Sequence, residues 1–194
     1  MSEDPWLIVG LGNPGPAYAA TRHNIGQTVL DELASRGASA FKRHKANAVV
    51  AEVRVAPGAP RLILGKPNSF MNLSGGPVAA LLRFYSIDPS RLIVVHDELD
   101  IPFDSLKLKF GGGHGGHNGV RDIISAIGTG DFTRVRIGVG RPPGSKEAAD
   151  HVLSHFSSSE RKQLPSIVVD AADAVEQITT DGLLAAQQRW HSPA

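Results

Sequence analysis

The segment RLIVVHD (91–97) constrains the fold most, because its apolar residues follow one another instead of alternating with polar ones. A strand with two apolar faces must be covered on both sides, which is typical of the centre of a largely parallel sheet. WLIVGLG (6–12) is predicted to be a buried first strand and RLILGKP (61–67) another strand, and helical stretches such as IGQTVLDELASRG (25–37) separate the strands. Strands that alternate with helices predict an α/β fold, a single-domain layered fold with a central sheet flanked by helices.

Further segments complete this order of elements. We expect strands over NAVVAEVRV (47–55), SLKLKF (105–110) and FTRVRIGVG (132–140), helices over 77–87 and 117–128, and a mainly helical region in the last fifty residues. SLKLKF follows the central strand after a loop too short for a crossover helix, so the sheet should be mixed but mostly parallel. KRHK (42–45) is interpreted as a solvated loop that could contact a polyanion. At 194 residues, one domain over 1–194 is expected.

Composition excludes several classes of function. The chain has no cysteine, which excludes disulfides, thiolate metal sites and a cysteine nucleophile. Its formal net charge is +1, so any site for a polyanion has to be a local patch. No apolar run is long enough for a membrane span, and the first residues do not have the pattern of a signal peptide. We therefore expect a cytoplasmic protein that has no contact with a membrane.

Glycine-marked loops repeatedly carry uncharged polar side chains. Asparagine offers donors and an acceptor without a charge, and glycine lets a backbone approach a ligand closely. Several of these loops follow predicted strands, where open α/β sheets bind their ligands. The sequence therefore predicts one cleft for a polar, largely neutral substrate, lined by Asn13, His23, Asn24, Asn68, Asn72, His117 and Asn118.

His23 and Asp97 are the candidate catalytic pair. His23 lies at the start of a predicted helix, and Asp97 lies at the tip of the central strand. A lone histidine is more often structural, but a histidine held by a carboxylate is the usual arrangement of an activated general base. Because the chain has no cysteine and no G-x-S-x-G elbow, this base would activate water rather than a protein nucleophile.

Two cofactor classes are disfavoured. GLGNPG (10–15) matches the dinucleotide fingerprint formally, but its prolines delay the helix, and the second strand ends in Arg54 and Val55 instead of an acidic residue. HDELD (96–100), GGGHGGH (111–117) and HVLSH (151–155) could supply metal ligands. The H-E-x-x-H signature is absent, however, and glycine loops hold metal ligands loosely.

Two basic pairs are candidates for binding phosphate. Lys107 and Lys109 share one face of SLKLKF, and Arg134 and Arg136 share one face of the following strand. Such pairs can bind phosphate, although solvated faces of edge strands give the same spacing.

Taken together, five blocks of this sequence resemble the bacterial peptidyl-tRNA hydrolase family. They cover roughly a third of the chain in the family's order and spacing. The blocks are VGLGNPGPAYAATRHNIG (9–26), KPNSFMNLSG (66–75), HDELD (96–100), GGGHGGHNG (111–119) and FTRVRIGVGRP (132–142).

The resemblance implies a metal-independent, monomeric esterase without a cofactor, which cleaves the bond between a peptide and the 3′-terminal ribose of tRNA and so recycles the tRNA. It implies His23 as general base, Asp97 as the group that orients it, and Lys107 and Arg136, with Lys109 beside them, as a clamp for the 5′-phosphate. The partner would be the acceptor stem, the 3′ CCA end and the attached peptide, with no protein partner required. C-terminal helices at about 147–190 would partly cover the cleft. The residues expected at the peptide or the reacting groups are Asn13, Tyr18, Asn24, Asn68, Met71, Asn72, His117 and Asn118.

Two other classes remain open from the residues alone. One is an RNA-binding homologue without activity, and the other is a metal-dependent esterase or amidase.

Overall fold

The computed structural model describes residues 4–191, in which a seven-stranded sheet lies between two layers of helices. The strands are β1 (Trp6–Gly10), β2 (Lys42–His44), β3 (Ala48–Val53), β4 (Leu62–Pro67), β5 (Leu92–Glu98), β6 (Leu106–Phe110) and β7 (Thr133–Gly138). The helices are α1 (Ile25–Arg36), α2 (Gly75–Phe84), α3 (Asn118–Ile127), α4 (Ala148–Val152), α5 (Ser158–Asp181) and α6 (Leu183–Trp190).

The sheet is mixed, as the sequence predicted. Its strand order is β2-β3-β4-β1-β5-β7-β6, and the four strands β4, β1, β5 and β7 run parallel at its centre. Antiparallel pairs close both edges, β2 with β3 and β3 with β4 on one side, and β6 with β7 on the other. The residues 7–9 of β1 and 92–95 of β5 are fully buried because helices cover both faces of these strands.

Each face of the sheet has its own apolar core. One core joins the sheet to α1, α5 and α6, and the other joins it to α2 and α3. α1 approaches the sheet at Gly26, where an added Cβ atom would lie 2.2 Å from the carbonyl oxygen of Val95. This contact brings the start of α1, and with it His23, against the end of the central strand.

The prediction of a loop at 42–45 is wrong. Lys42–His44 forms β2, a three-residue edge strand in register with Ala48–Val50. A short, charged edge strand resists pairing with other chains. Because its three residues are all polar, they show no alternation of apolar and polar residues from which a strand could be predicted.

The C-terminal helices have different positions. α4 lies beside the cleft, whereas α5 packs on α1 and α6 packs on β6. Gln187 Nε2 donates a hydrogen bond to the carbonyl oxygen of Leu108 at 3.1 Å, and the Leu108 amide donates to His191 Nε2 at 2.8 Å. Two side chains near the end of the described chain thus occupy the outer edge of β6. Within residues 4–191, no helix is both long and apolar enough to cross a membrane.

Candidate active site

The carboxyl ends of the central strands open into a cleft of about 630 Å³. The loop after β1 contributes Asn13, the turn before α1 contributes His23, and β5 contributes Asp97. The structure brings together most of the predicted site residues, and the cleft is lined by Asn13, Tyr18, His23, Met71, Asn72, Asp97, His117 and Asn118.

His23 and Asp97 form the expected pair. His23 Nδ1 lies 2.8 Å and 3.0 Å from the two carboxylate oxygens of Asp97. Nδ1 therefore carries a proton and donates it to the carboxylate, so in the neutral ring Nε2 is left as a bare acceptor. Burial lowers the pKa of His23, but the charge of Asp97 and the hydrogen bond to it outweigh burial, so the pKa is raised above its ordinary value.

A second histidine shares the same carboxylate, which the sequence did not predict. His117 Nε2 lies 2.9 Å from Asp97 Oδ1, on a side chain that is almost fully buried. His117 Nδ1 accepts from the amides of Gly119 and Val120 at 3.1 Å and 3.3 Å, which caps α3. Because Nδ1 accepts, Nε2 must be the donor to Asp97.

Asp97 is held ionised by these partners. Burial would raise the pKa of its carboxyl, but the charge of His23 and the hydrogen bond from His117 lower it well below its usual range. The neighbouring His96 is neutral, because burial and the nearby His117 lower its pKa to about 3. The site therefore carries one fixed negative charge beneath the ring of His23.

The amide of Asn13 is oriented by its surroundings. Asn13 Oδ1 accepts from the Met71 amide at 2.6 Å, so the donor atom Nδ2 is the end of the amide that remains available at the cleft. Asn24 is buried, and its amide donates to and accepts from the main chain of Asn13, at 2.9 Å in each case. Asn24 therefore shapes the loop and has no free polar atom with which to contact a substrate.

The remaining predicted residues differ in their placement. Asn68 is exposed and lies outside the cleft lining, and its main-chain amide donates to the carbonyl oxygen of Asn47 at 2.9 Å. Tyr18 meets Phe70 edge to face, with ring centroids 6.3 Å apart. Phe70, which is 55% exposed, offers a flat apolar surface at the mouth of the cleft.

The two basic pairs occupy one face of the antiparallel pair β6 and β7. Lys107 is in register with Arg136, and Lys109 is in register with Arg134. A smaller pocket of about 250 Å³ lies here, beside the main cleft, and Lys109, Arg134 and Arg136 line it. The neighbouring arginines and burial lower the pKa of Lys109, with burial as the larger cause.

Arg134 differs from its neighbours in role. It is 2% exposed, and its guanidinium donates to the carbonyl oxygens of Gly112, Gly113 and Gly130. Arg134 thus holds the glycine loop that leads to His117. Residue spacing placed it on the basic face, but the carbonyl groups that it binds could not be inferred from the sequence.

The ligand atoms of three residues lie close enough together to surround a cation. One ligand atom each of His23, Asp97 and His117 lies within 4.8 Å of the others. However, His117 Nε2 carries a proton because its Nδ1 accepts two amide hydrogens. A metal ion would have to displace that proton and the two histidine–carboxylate hydrogen bonds, so the observed arrangement does not fit a metal ion.

A model of the family described as peptidyl-tRNA hydrolase matches residues 7–194. The chain belongs to this family. A peptidyl-tRNA hydrolase of Leifsonia xyli subsp. xyli is 71% identical over 190 residues, which are 98% of each chain. One of Arthrobacter sp. is 59% identical over 189 residues, or 97% of each chain. A crystal structure of peptidyl-tRNA hydrolase from Acinetobacter baumannii superposes with a TM-score of 0.90 at 35% identity, covering 99% of this chain and 97% of that one.

Proposed function

We propose that the chain hydrolyses the ester bond between a peptide and the 3′-terminal ribose of tRNA. One observation carries this proposal beyond family membership: His23 Nδ1 is bound to Asp97, which leaves Nε2 as a base at a cleft whose lining includes the neutral amides of Asn13, Asn72 and Asn118. A peptide brings amide groups without charge, so a site that recognises it needs donors and acceptors rather than ions.

In the proposed reaction, His23 Nε2 removes a proton from a water molecule while the water oxygen adds to the ester carbonyl carbon. The tetrahedral intermediate then collapses, the bond to the ribose 3′-oxygen breaks, and the imidazolium returns the proton to that oxygen. Asp97 stabilises the imidazolium in between. A general base of this kind contributes about 10²–10⁴-fold.

The asparagines account for the electrostatic part of the proposal. Asn13 Nδ2, together with the side chains of Asn72 and Asn118, is a candidate donor to the developing oxyanion and to the peptide backbone. A free aminoacyl-tRNA carries an α-ammonium instead of an amide, so the same site would keep unpaired groups and discriminate against it.

The tRNA part of the substrate would contact two surfaces. Lys107, Lys109 and Arg136 form a cationic face suited to the 5′-phosphate at the end of the acceptor stem. The exposed ring of Phe70 is suited to stacking with a base of the single-stranded CCA end, worth about 1–3 kcal/mol per base. We propose further that the protein acts as a monomer in the cytoplasm, where translation produces peptidyl-tRNA.

The test is hydrolysis of an N-acetyl-aminoacyl-tRNA beside the same unblocked aminoacyl-tRNA, each with and without a chelator. The proposal expects cleavage of the blocked ester alone, at a rate that the chelator does not change. No cleavage of either would favour an RNA-binding homologue without activity. Loss of cleavage on chelation would favour the metal-dependent esterase or amidase that the residues alone left open.

A further inference from the structure

Arg22, the residue before His23, is a buried cation whose guanidinium binds a distant part of the chain. Its side chain is 8% exposed, and Nη2 donates to Glu160 Oε1 at 2.7 Å. Nη1 donates to Ser154 Oγ at 2.6 Å and to the carbonyl oxygen of His155 at 2.7 Å. The guanidinium also lies over the ring of Phe156, 5.4 Å from its centroid.

The backbone reinforces this connection. The Arg22 amide donates to the carbonyl oxygen of Ser154 at 3.1 Å, and Thr21 forms an isolated antiparallel bridge with His155. Side-chain and main-chain bonds thus join residues 21–22 to Ser154 and His155, between α4 and α5, and to Glu160 on α5. We call this set of contacts the Arg22 latch.

The latched segment continues directly from one wall of the cleft. Ala148, Ala149, Val152 and Leu153 line the cleft from α4 and its C-terminal end. Arg22 and His23 lie in the same short helical turn, which spans Arg22–Asn24. One residue therefore fixes both the turn that carries the candidate base and the end of the wall beside it.

Arginine is suited to this role and lysine is not. With the carbonyl oxygen of His151 at 3.4 Å, the guanidinium has four acceptors, which its five donors can serve and the three donors of an ammonium cannot. Glu160 also accepts from the Ser157 amide at 2.8 Å as part of the capping box of α5. Glutamine can keep such a box, so the charge of residue 160 can be removed without losing the cap.

We propose that Arg22 is a positioning residue, which sets the α4 wall of the cleft at a fixed distance from His23 by binding Ser154, His155 and Glu160. This inference rests on the proposed hydrolysis for its kinetic consequence only. The latch itself is a structural property that can be measured without a substrate.

The variants Arg22→Lys and Glu160→Gln test the latch, with Arg36→Lys as a matched control. Arg36 also joins two elements through ion pairs, from α1 to Asp173 and Glu176 on α5, but it lies away from the cleft. For both latch variants we expect faster hydrogen exchange at the Arg22 amide and in 148–157, and a fall in kcat of about tenfold, since small misplacements are costly. We expect KM for the tRNA substrate to change less than about twofold, because the basic face is untouched.

The outcomes separate this inference from the proposed function. An unchanged exchange rate in both latch variants would refute the latch, and faster exchange with an unchanged kcat would refute its role in positioning the wall. If kcat falls equally in Arg36→Lys, the loss in the latch variants is due to general destabilisation, and the positioning role of Arg22 is refuted. If the unmodified protein cleaves no blocked aminoacyl-tRNA, the proposed function fails, and the exchange data still decide whether the latch exists. Glu160→Gln carries the test if Arg22→Lys does not fold.

Discussion

Replacing Asp97 by asparagine should disable His23 by reversing its tautomer. His117 Nε2 is a fixed donor, because its Nδ1 accepts from Gly119 and Val120. It would therefore bind the amide oxygen of the new side chain. The amide nitrogen would then face His23 Nδ1, at the place where a carboxylate oxygen now lies 2.8 Å away. Nδ1 would then accept from this amide nitrogen, which is closer than the amide oxygen at the present Oδ1 position 3.0 Å away, and the ring proton would move to Nε2, the atom proposed to act as base.

The magnitude follows from what is lost. Removing general-base catalysis costs about 10²–10⁴-fold, or about 3 to 5 kcal/mol at about 1.4 kcal/mol for each factor of ten. Asparagine in place of the aspartate of a Ser-His-Asp triad lowers kcat by about 10⁴-fold through the same exchange of tautomers. We therefore expect Asp97→Asn to lie at the upper end of this range, since the charge that stabilises the imidazolium is lost as well.

The assay is single-turnover hydrolysis of N-acetyl-aminoacyl-tRNA as a function of pH. Asp97 raises the pKa of His23, so in the unmodified protein activity should fall as the pH drops through that raised value. In Asp97→Asn the remaining activity should have its acidic limb at lower pH, because the charge that raised the pKa is gone. Asp173→Asn, which changes an ion-paired carboxylate on α5 to an amide, is the control. A decrease of less than about tenfold with an unmoved limb would refute the tautomer argument.

Three further outcomes are expected. His23→Ala should abolish turnover and leave the Kd for tRNA nearly unchanged, measured by binding titration; retained turnover would remove His23 as the base. Lys107→Ala combined with Arg136→Ala should raise KM for tRNA substrates and weaken its dependence on salt, and equal losses on a short ester without tRNA would contradict a phosphate clamp. Gly26→Ala should lower the free energy of unfolding by about 1–3 kcal/mol or more, because the new Cβ would lie 2.2 Å from the Val95 carbonyl oxygen; urea denaturation with an unchanged midpoint would show that the contact can relax.

The sequence predicted those parts of the fold that local pattern determines. Continuous apolar runs identified β1 as a buried strand and β5 as a central strand, and the short loop before SLKLKF predicted an antiparallel strand. The strand at Lys42–His44 could not be predicted, because its three residues are polar and only pairing with β3 makes them a strand. In the same way, the short loop between β5 and β6 showed that β6 runs in the opposite direction. It did not show that β6 pairs with β7 and not with β5.

In the candidate site, the pairing of His23 with Asp97 could be predicted because each lies at the end of an element that the sequence defines. The second histidine on the carboxylate could not, since the distance between His117 and Asp97 depends on how the glycine loop folds. Asn24 was expected at the substrate because amides in loops often bind ligands, and the structure instead pairs it with the main chain of Asn13. Arg22 had no recognised role, because its side-chain acceptors lie 129 to 138 residues further along the chain.

The side chains of Gln187 in α6 and of His191 just after it, which bind β6, have a consequence for self-association. A strand at the edge of a sheet offers unpaired amides and carbonyls to any other extended polypeptide, and this is how native sheets begin to aggregate. Gln187 and His191 bind the Leu108 carbonyl and amide that another chain would need. The opposite edge is β2, with only three residues, two of them cationic. Pairing with another molecule is thus hindered at both edges of the sheet. At β6, side chains occupy the hydrogen-bonding groups that a neighbouring strand would use, and at β2 the strand is short and positively charged.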